Sequence, residues 1–172
     1  MYQARGLPKD SDMSDSIKFF VPGIPKPGGS KTATVVRRKG GAIVMANGRP
    51  LVTTRDACKG SAGWKQTVAF YARQAYQGEP LRGALAVSFA FIMPRPKGHY
   101  GTGRNGDKLK DSAPIRHTNK PDALKLARST EDALTAIVWH DDSQTAKLTI
   151  IKVYGEWPGV YITIATIKGE SA

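Results

Sequence analysis

The residues most able to do chemistry lie between positions 120 and 144: Asp122 directly after Pro121, then Arg128, Glu131 and the adjacent pair Asp141-Asp142. Two neighbouring carboxylates repel each other, and a cation bound nearby relieves that cost. Asp122 precedes a helical pattern, so its carboxylate occupies the place of a helix N-cap. The stripe Leu126, Thr130, Ala133, Leu134 and Ile137 is the buried side of that helix. At 100° per residue, Leu124, Arg128, Glu131 and Thr135 fall on the opposite side. One face therefore goes to a core and the other presents a cation and an acid. Taken alone, Asp122 reads equally as a cap and Asp141-Asp142 as a turn.

These residues need a scaffold, and the chain can build one. It has 172 residues with an apolar fraction of 40%, enough for one domain with its own core. A single cysteine, Cys58, excludes an intrachain disulfide framework and any multi-thiolate metal site, and suits a reducing compartment. The longest apolar run, 84–93, is too short to cross a bilayer, so a soluble protein without a membrane partner is expected. Residues 1–16, polar and mixed in charge, read as a flexible tail.

Ile17 to Pro22 reads as a first strand stopped by a Pro-Gly turn. A helix capped by Ser61 follows, with Trp64, Val68, Tyr71, Ala72 and Ala75 on one face. In the next strand, Leu85, Val87, Phe89, Phe91 and Met93 alternate with small residues whose face has room for a close helix. Two β-rich runs, 147–154 and 160–167, flank a Gly-Glu-Trp-Pro-Gly break and predict a C-terminal antiparallel hairpin. The expected class is α/β of the α+β type: a single domain over 17–172, with a mixed sheet packed by two main helices.

With 26 Lys and Arg against 14 Asp and Glu, the net charge is +12. Such a surplus suits a polyanion, because each cation that neutralises a phosphate releases a condensed counterion. The charge concentrates in two places. One is the glycine-punctuated stretch 26–59, with Lys31, Arg37, Arg38 and Lys39. The other is the segment 97–120, with Arg104, Lys108, Lys110, Arg116 and Lys120, which reads as a mobile basic loop. All nine are candidate nucleic-acid contacts.

The string Lys120-Pro-Asp-x-x-Lys-Leu-x-Arg, then Asp132-Ala-Leu-Thr, Trp139-x-Asp-Asp-Ser-Gln and a strand lysine at 152, resembles the signature of the RusA family of Holliday junction resolvases. Val21-Pro22-Gly23-Ile24-Pro25 is similar to that family's first strand and turn, and the likeness runs over about 17–167. The resemblance implies a small homodimeric endonuclease that binds four-way DNA junctions and cuts them with Mg²⁺, Mn²⁺ being a substitute. It places metal ligands at Asp122 and Asp142, with Asp141 beside the latter, and charge-stabilising cations at Arg128 and Lys152. Hydrolysis by such a site uses metal-bound water, with cations on the phosphate oxygens. The cytoplasm of a bacterial or phage-infected cell is the implied setting.

One residue departs from the pattern. The family's second aspartate, two positions after the first, is Leu124 here, and an isobutyl group offers a metal nothing. Two expectations follow. Either Glu131, on the same helix face as Leu124 and Arg128, replaces the missing ligand, or the chain is a junction-binding protein with weakened or lost cleavage. A general binder of single strands or RNA would want aromatics among its cations, and only Tyr100 and Tyr161 qualify.

Overall fold

The computed structural model describes residues 16–29, 31–56 and 58–167, so the tail expected over 1–16 lies outside the described residues except for Ser16. Strand β1 (Ile17–Pro22) leads into a basic arm made of β2 (Lys31–Val35), β3 (Met45–Ala46), β4 (Arg49–Pro50) and β5 (Val52–Asp56). Helix α1 (Ser61–Ala75), strand β6 (Leu85–Pro94), helix α2 (Ala123–Leu134) and strands β7 (Thr145–Gly155) and β8 (Gly159–Thr166) complete the order. The main sheet is mixed, in the order β1-β8-β6-β7, with β6 and β7 parallel and the other neighbours antiparallel.

The alternation along β6 decides the layering. Leu85, Val87, Phe89, Phe91 and Met93 are all buried, and they share one core with Trp64 and Val68 of α1 and Leu126, Ala127 and Leu134 of α2. Both helices thus cover the face of large side chains, not the small-residue face expected to receive one. Burying branched and aromatic area at about 25 cal/mol per Å² outweighs the advantage of close backbone approach. The C-terminal antiparallel pair is present as β7 and β8, and it straddles β6, which hydrogen-bonds to both. Inserting β6 buries the most apolar strand on two edges as well as one face.

The helix starts differ from expectation in one detail. Gly60, not Ser61, caps α1; its φ of 92° lies in the left-handed region open to glycine, and Ser61 becomes a buried first helical residue. Helix α2 ends at Leu134, one turn before Ile137, which still packs on the core from the following turn. The two helices are tied by Trp64 Nε1 donating to Thr130 Oγ1 (3.4 Å) and by a Lys65–Asp132 ion pair (2.8 Å).

Candidate active site

Asp122 stands at the N-cap position of α2 without acting as a cap: its main-chain carbonyl accepts from Leu126 N (3.1 Å), but its carboxylate takes no backbone N–H. Capping by Asp contributes about 1 kcal/mol to a helix, so a carboxylate that forgoes it is available for another partner. Its nearest cation is Lys125 Nζ at 3.8 Å. It borders a cavity of about 810 Å³, walled by Ile24 to Gly28, Cys58, Met93, Lys120, Pro121 and Lys125. Three lysines, Lys26, Lys120 and Lys125, surround one acid there.

The wall formed by Pro25 to Gly29 depends on its glycines. Gly28 N donates to Lys125 O (2.9 Å), and a Cβ on Gly28 would come within 3.1 Å of Ser129. A Cβ on Gly29, whose φ is 84°, would meet the Arg128 side chain at 3.1 Å. The Pro-Gly-Gly strap therefore lies directly on α2, and Arg128 is exposed beside it. Sequence reading found the turn but not its role as a cavity wall; the signal was the glycine pair opposite a helix.

Lys152 is placed by β7 beneath the entry to α2. Its ammonium donates to the carbonyls of Pro121 (2.6 Å) and Asn119 (2.7 Å). Burial lowers its pKa, while the Asp122 carboxylate pulls it upward. Lys152 thus ties the segment carrying Asp122 to the sheet. Further along, Tyr154 is buried between two imidazoles, His99 and His117, with ring centroids 4.7 and 4.6 Å away. Asn119 Nδ2 donates to the Tyr154 hydroxyl (3.2 Å), and Arg95 lies over the ring at 5.6 Å. None of these ring contacts was signalled by spacing in the sequence.

This cluster organises the segment expected as a mobile basic loop. Two short 3-10 turns, Lys97–His99 and Gly103–Asn105, are followed by a return in which Lys108 O accepts from Gly101 N and His99 O from Lys110 N. His117 N then donates to Lys152 O, and Tyr154 N to Ile115 O, so 115–117 extends the sheet beside β7. The result is a hydrogen-bonded tongue. Arg104, Lys108, Lys110, Arg116 and Lys120 are exposed on it, and Lys31, Arg37, Arg38 and Lys39 are exposed on the arm, where Arg38 to Gly41 form the turn.

The other acids gather at the far end of α2. Burial raises the pKa of Glu131, the Thr145 hydroxyl opposes this, and the charges of Asp142 and Asp132 add to it. Glu131 is nine residues beyond Asp122, about 13 Å along the helix axis. An ion with ligand distances of about 2.1 Å does not span that gap. The structure therefore brings Glu131 near Asp142 and does not bring Glu131 to Asp122. Asp132 is engaged by Lys65. Asp141 is occupied as a cap: its carboxylate accepts from Ser143 N (2.9 Å), the Ser143 hydroxyl and then this amide lower its pKa, and Gln144 Oε1 accepts from the amides of His140 and Asp141. No cluster of three or more His, Cys, Asp or Glu forms among the described residues.

A family model described as endodeoxyribonuclease RusA matches residues 27–165, which include both helices, the tongue, the arm and most of the sheet. The chain belongs to the RusA endodeoxyribonuclease family. Strand β1 and its turn, which resemble the family's start, precede the matched residues. The chain is also similar to the uncharacterized protein YqaN of Bacillus subtilis (strain 168), at 31% identity over 154 residues, covering 90% of this chain and 99% of that protein. RusA-family proteins are endodeoxyribonucleases that act on branched DNA with a divalent metal. No helix among the described residues is long and apolar enough to cross a membrane.

Proposed function

We propose that the chain is an Mg²⁺-dependent, structure-selective endonuclease that binds four-way junctions and resolves them by paired nicks, acting as a homodimer. The observation that carries this is the Asp122 carboxylate: at a cap position, not capping, and opening on a cavity rimmed by three lysines. Mg²⁺ is commonly held by one or two carboxylates, with waters and substrate phosphates completing its shell, and Asp122 beside a phosphate-attracting cavity fits that habit. When bound, the ion supplies an acidified water and neutralises charge on the phosphate.

The chain's own groups do the rest. Lys26, Lys120 and Lys125 draw the backbone into the cavity. Arg128, permanently charged, stabilises nonbridging oxygens on the exposed face of α2. Lys152 acts through position: with both carbonyls on its ammonium, it holds Pro121 so that Asp122 points at the phosphate. Asp142 and Glu131, at the far end of α2, form a second acidic locus in the proposal, and Asp141 serves its turn. Junction selectivity and paired cleavage call for two equivalent sites on a two-fold substrate, which a C2 dimer provides.

A synthetic four-way junction incubated with the protein in Mg²⁺ or EDTA tests the reading. The expected result is nicking in Mg²⁺ alone, abolished by Asp122→Asn and by Asp142→Asn with junction binding retained. Wild-type nicking by Asp122→Asn overturns the site.

Leu124 favours a second reading, a junction-binding protein with weakened or lost cleavage. It is 71% exposed beside Asp122, where the family pattern has a carboxylate. That reading expects binding without nicking in the wild type and a gain of nicking in Leu124→Asp. Its stability effect is small, because little apolar area is lost.

A further inference from the structure

The turn that carries Asp142 starts from a fixed point and then runs through solvent. Val138 and Trp139 are fully buried, Leu81 N donates to Val138 O (2.8 Å), and Leu81 forms a parallel β-bridge with Trp139. His140, Asp141, Asp142 and Ser143 are then all exposed before β7 begins. Exposed segments of this kind are ordinarily the first to open. A carboxylate that holds a metal needs the reverse, because a ligand works only when kept within about 0.5 Å of its productive place.

Gln144 supplies that restraint. Its Oε1 accepts from His140 N (2.9 Å) and Asp141 N (3.0 Å), and its Nε2 donates to Leu81 O and Gly83 O, each at 3.0 Å. A primary amide has two donor hydrogens and one oxygen with two lone pairs, so every strong bond this side chain can make is made, all to main chain. Half of the arrangement is local. With the Asp141 carboxylate on Ser143 N, Oε1 closes a capping box around the 3-10 turn Asp142–Gln144. A capping box asks nothing of the amide nitrogen. The two Nε2 bonds reach carbonyls 63 and 61 residues away, in the segment that leads into β6. They tie the turn to the scaffold.

The residue type is specific to this task. An ionised Glu has the reach but no N–H and would set its charge against two carbonyls, while Asn is one methylene too short to span both pairs. With its capacity used up, Gln144 has nothing to offer an ion or a phosphate and acts only through the turn it holds. The consequence falls on Asp142. Asp141 is spent on the cap, whereas Asp142 lies inside the capped turn, close enough to Glu131 for the two charges to interact. We infer that Gln144 is a positioning residue for cleavage: by clamping the amides of His140 and Asp141 to the carbonyls of Leu81 and Gly83, it holds the Asp142 carboxylate where it takes a divalent cation. The inference rests on the role proposed above for Asp142.

The test compares the full chain with Gln144→Met, Gln144→Glu and Asp142→Asn by three measurements: Mn²⁺ binding by calorimetry without DNA, backbone amide exchange, and junction nicking against Mg²⁺ concentration. In Gln144→Met, which keeps the length and loses all four bonds, the amides of His140 and Asp141 should exchange faster. Its Mn²⁺ affinity should fall about 10–100-fold, the loss typical when a residue that orients a metal ligand is replaced. Junction affinity should stay within a few-fold of wild type. Nicking should drop at low Mg²⁺ and recover as Mg²⁺ is raised, because the fault lies in holding the ion; a fold merely loosened is not mended that way. Gln144→Glu keeps the Oε1 bonds and loses those to Leu81 and Gly83, so it should retain amide protection and still lose Mn²⁺ affinity, which decides the matter if the Met variant does not fold. Wild-type Mn²⁺ affinity and Mg²⁺ dependence in the folded Gln144 variants, beside a defective Asp142→Asn, overturn the inference and leave the resolvase reading standing. An Asp142→Asn protein that binds Mn²⁺ and nicks as the wild type does overturns the role of Asp142 and the inference with it. A wild type that binds junctions without nicking them defeats the resolvase reading alone, and Mn²⁺ affinity and amide exchange still decide the clamp.

Discussion

The arm over 31–56 and the tongue over 97–117 carry similar positive charge and are held in opposite ways. In the arm, β2 pairs with β5 and β3 with β4, and the exposed side chains of Lys31, Arg37, Arg38 and Lys39 stand away from the core. The tongue is sewn to β7 through Lys152, Tyr154 and His117. Charge on a self-paired ribbon adds affinity wherever the ribbon settles on a phosphate backbone. In the proposed function, charge on the tongue, fixed relative to Asp122, sets where the scissile phosphate sits. On that reading the same composition serves attraction in one place and registration in the other.

Breaking the tongue's attachment should have the largest effect. Lys152→Met removes both donors to Asn119 and Pro121, and each charge-assisted bond contributes about 1.5–3 kcal/mol. Junction nicking is expected to fall about 100-fold while junction affinity, read by gel shift, changes only a few-fold. Comparable loss of both would make Lys152 a phosphate contact instead.

Tyr154→Ala comes next. Removing a buried aromatic costs about 3–5 kcal/mol, measured by denaturant unfolding, and should lower nicking with it. Tyr154→Phe keeps the ring between the imidazoles and loses only the Asn119 bond, a change of about 1 kcal/mol. Equal effects from both would show that the hydroxyl, not the ring, holds the tongue.

Neutralising the arm should act on binding alone. With Arg37, Arg38 and Lys39 all replaced by Ala, the slope of log K against log salt should flatten by about 0.9 per lost phosphate contact. Unfolding stability should stay within about 0.5 kcal/mol, as for exposed sites. An unchanged slope would remove this turn from the DNA interface.

The smallest effect concerns pH. Burial, and then the Lys152 charge, lower the His117 pKa from its ordinary value of 6.5. The folded chain therefore binds fewer protons there than the unfolded chain, so stability is lost as pH falls below about 6.5. His117→Phe should shallow that decline in melting temperature between pH 7.5 and 5.5. An identical slope in both proteins would place the titration elsewhere.

Much of this molecule was written locally. The β6 alternation, the α2 stripe from Leu126 to Leu134 and the two charge concentrations follow from side-chain period and composition, and both helices and the four strands of the main sheet appear where those patterns place them. The exposed side of α2, with Leu124, Arg128 and Glu131 on it, was equally legible, because 100° per residue needs no tertiary information.

What only the tertiary structure decided is which of those residues meet. Helical period places Glu131 on the face of Leu124, but rise along the axis separates it from Asp122 and sets it beside Asp142. Lys152 lies thirty residues from Asp122 in the chain and reaches its entry only because β7 pairs with β6. Tyr154 acquires two histidines from a loop whose composition reads as irregular, since ring packing leaves no period in the sequence. Strand order is the same kind of fact: adjacent segments β7 and β8 predict a pair, and β6 enters between them because burying its two edges removes the most apolar strand from water. Local sequence specifies the faces of elements, and long-range packing, where burial and register compete across the whole chain, specifies their partners.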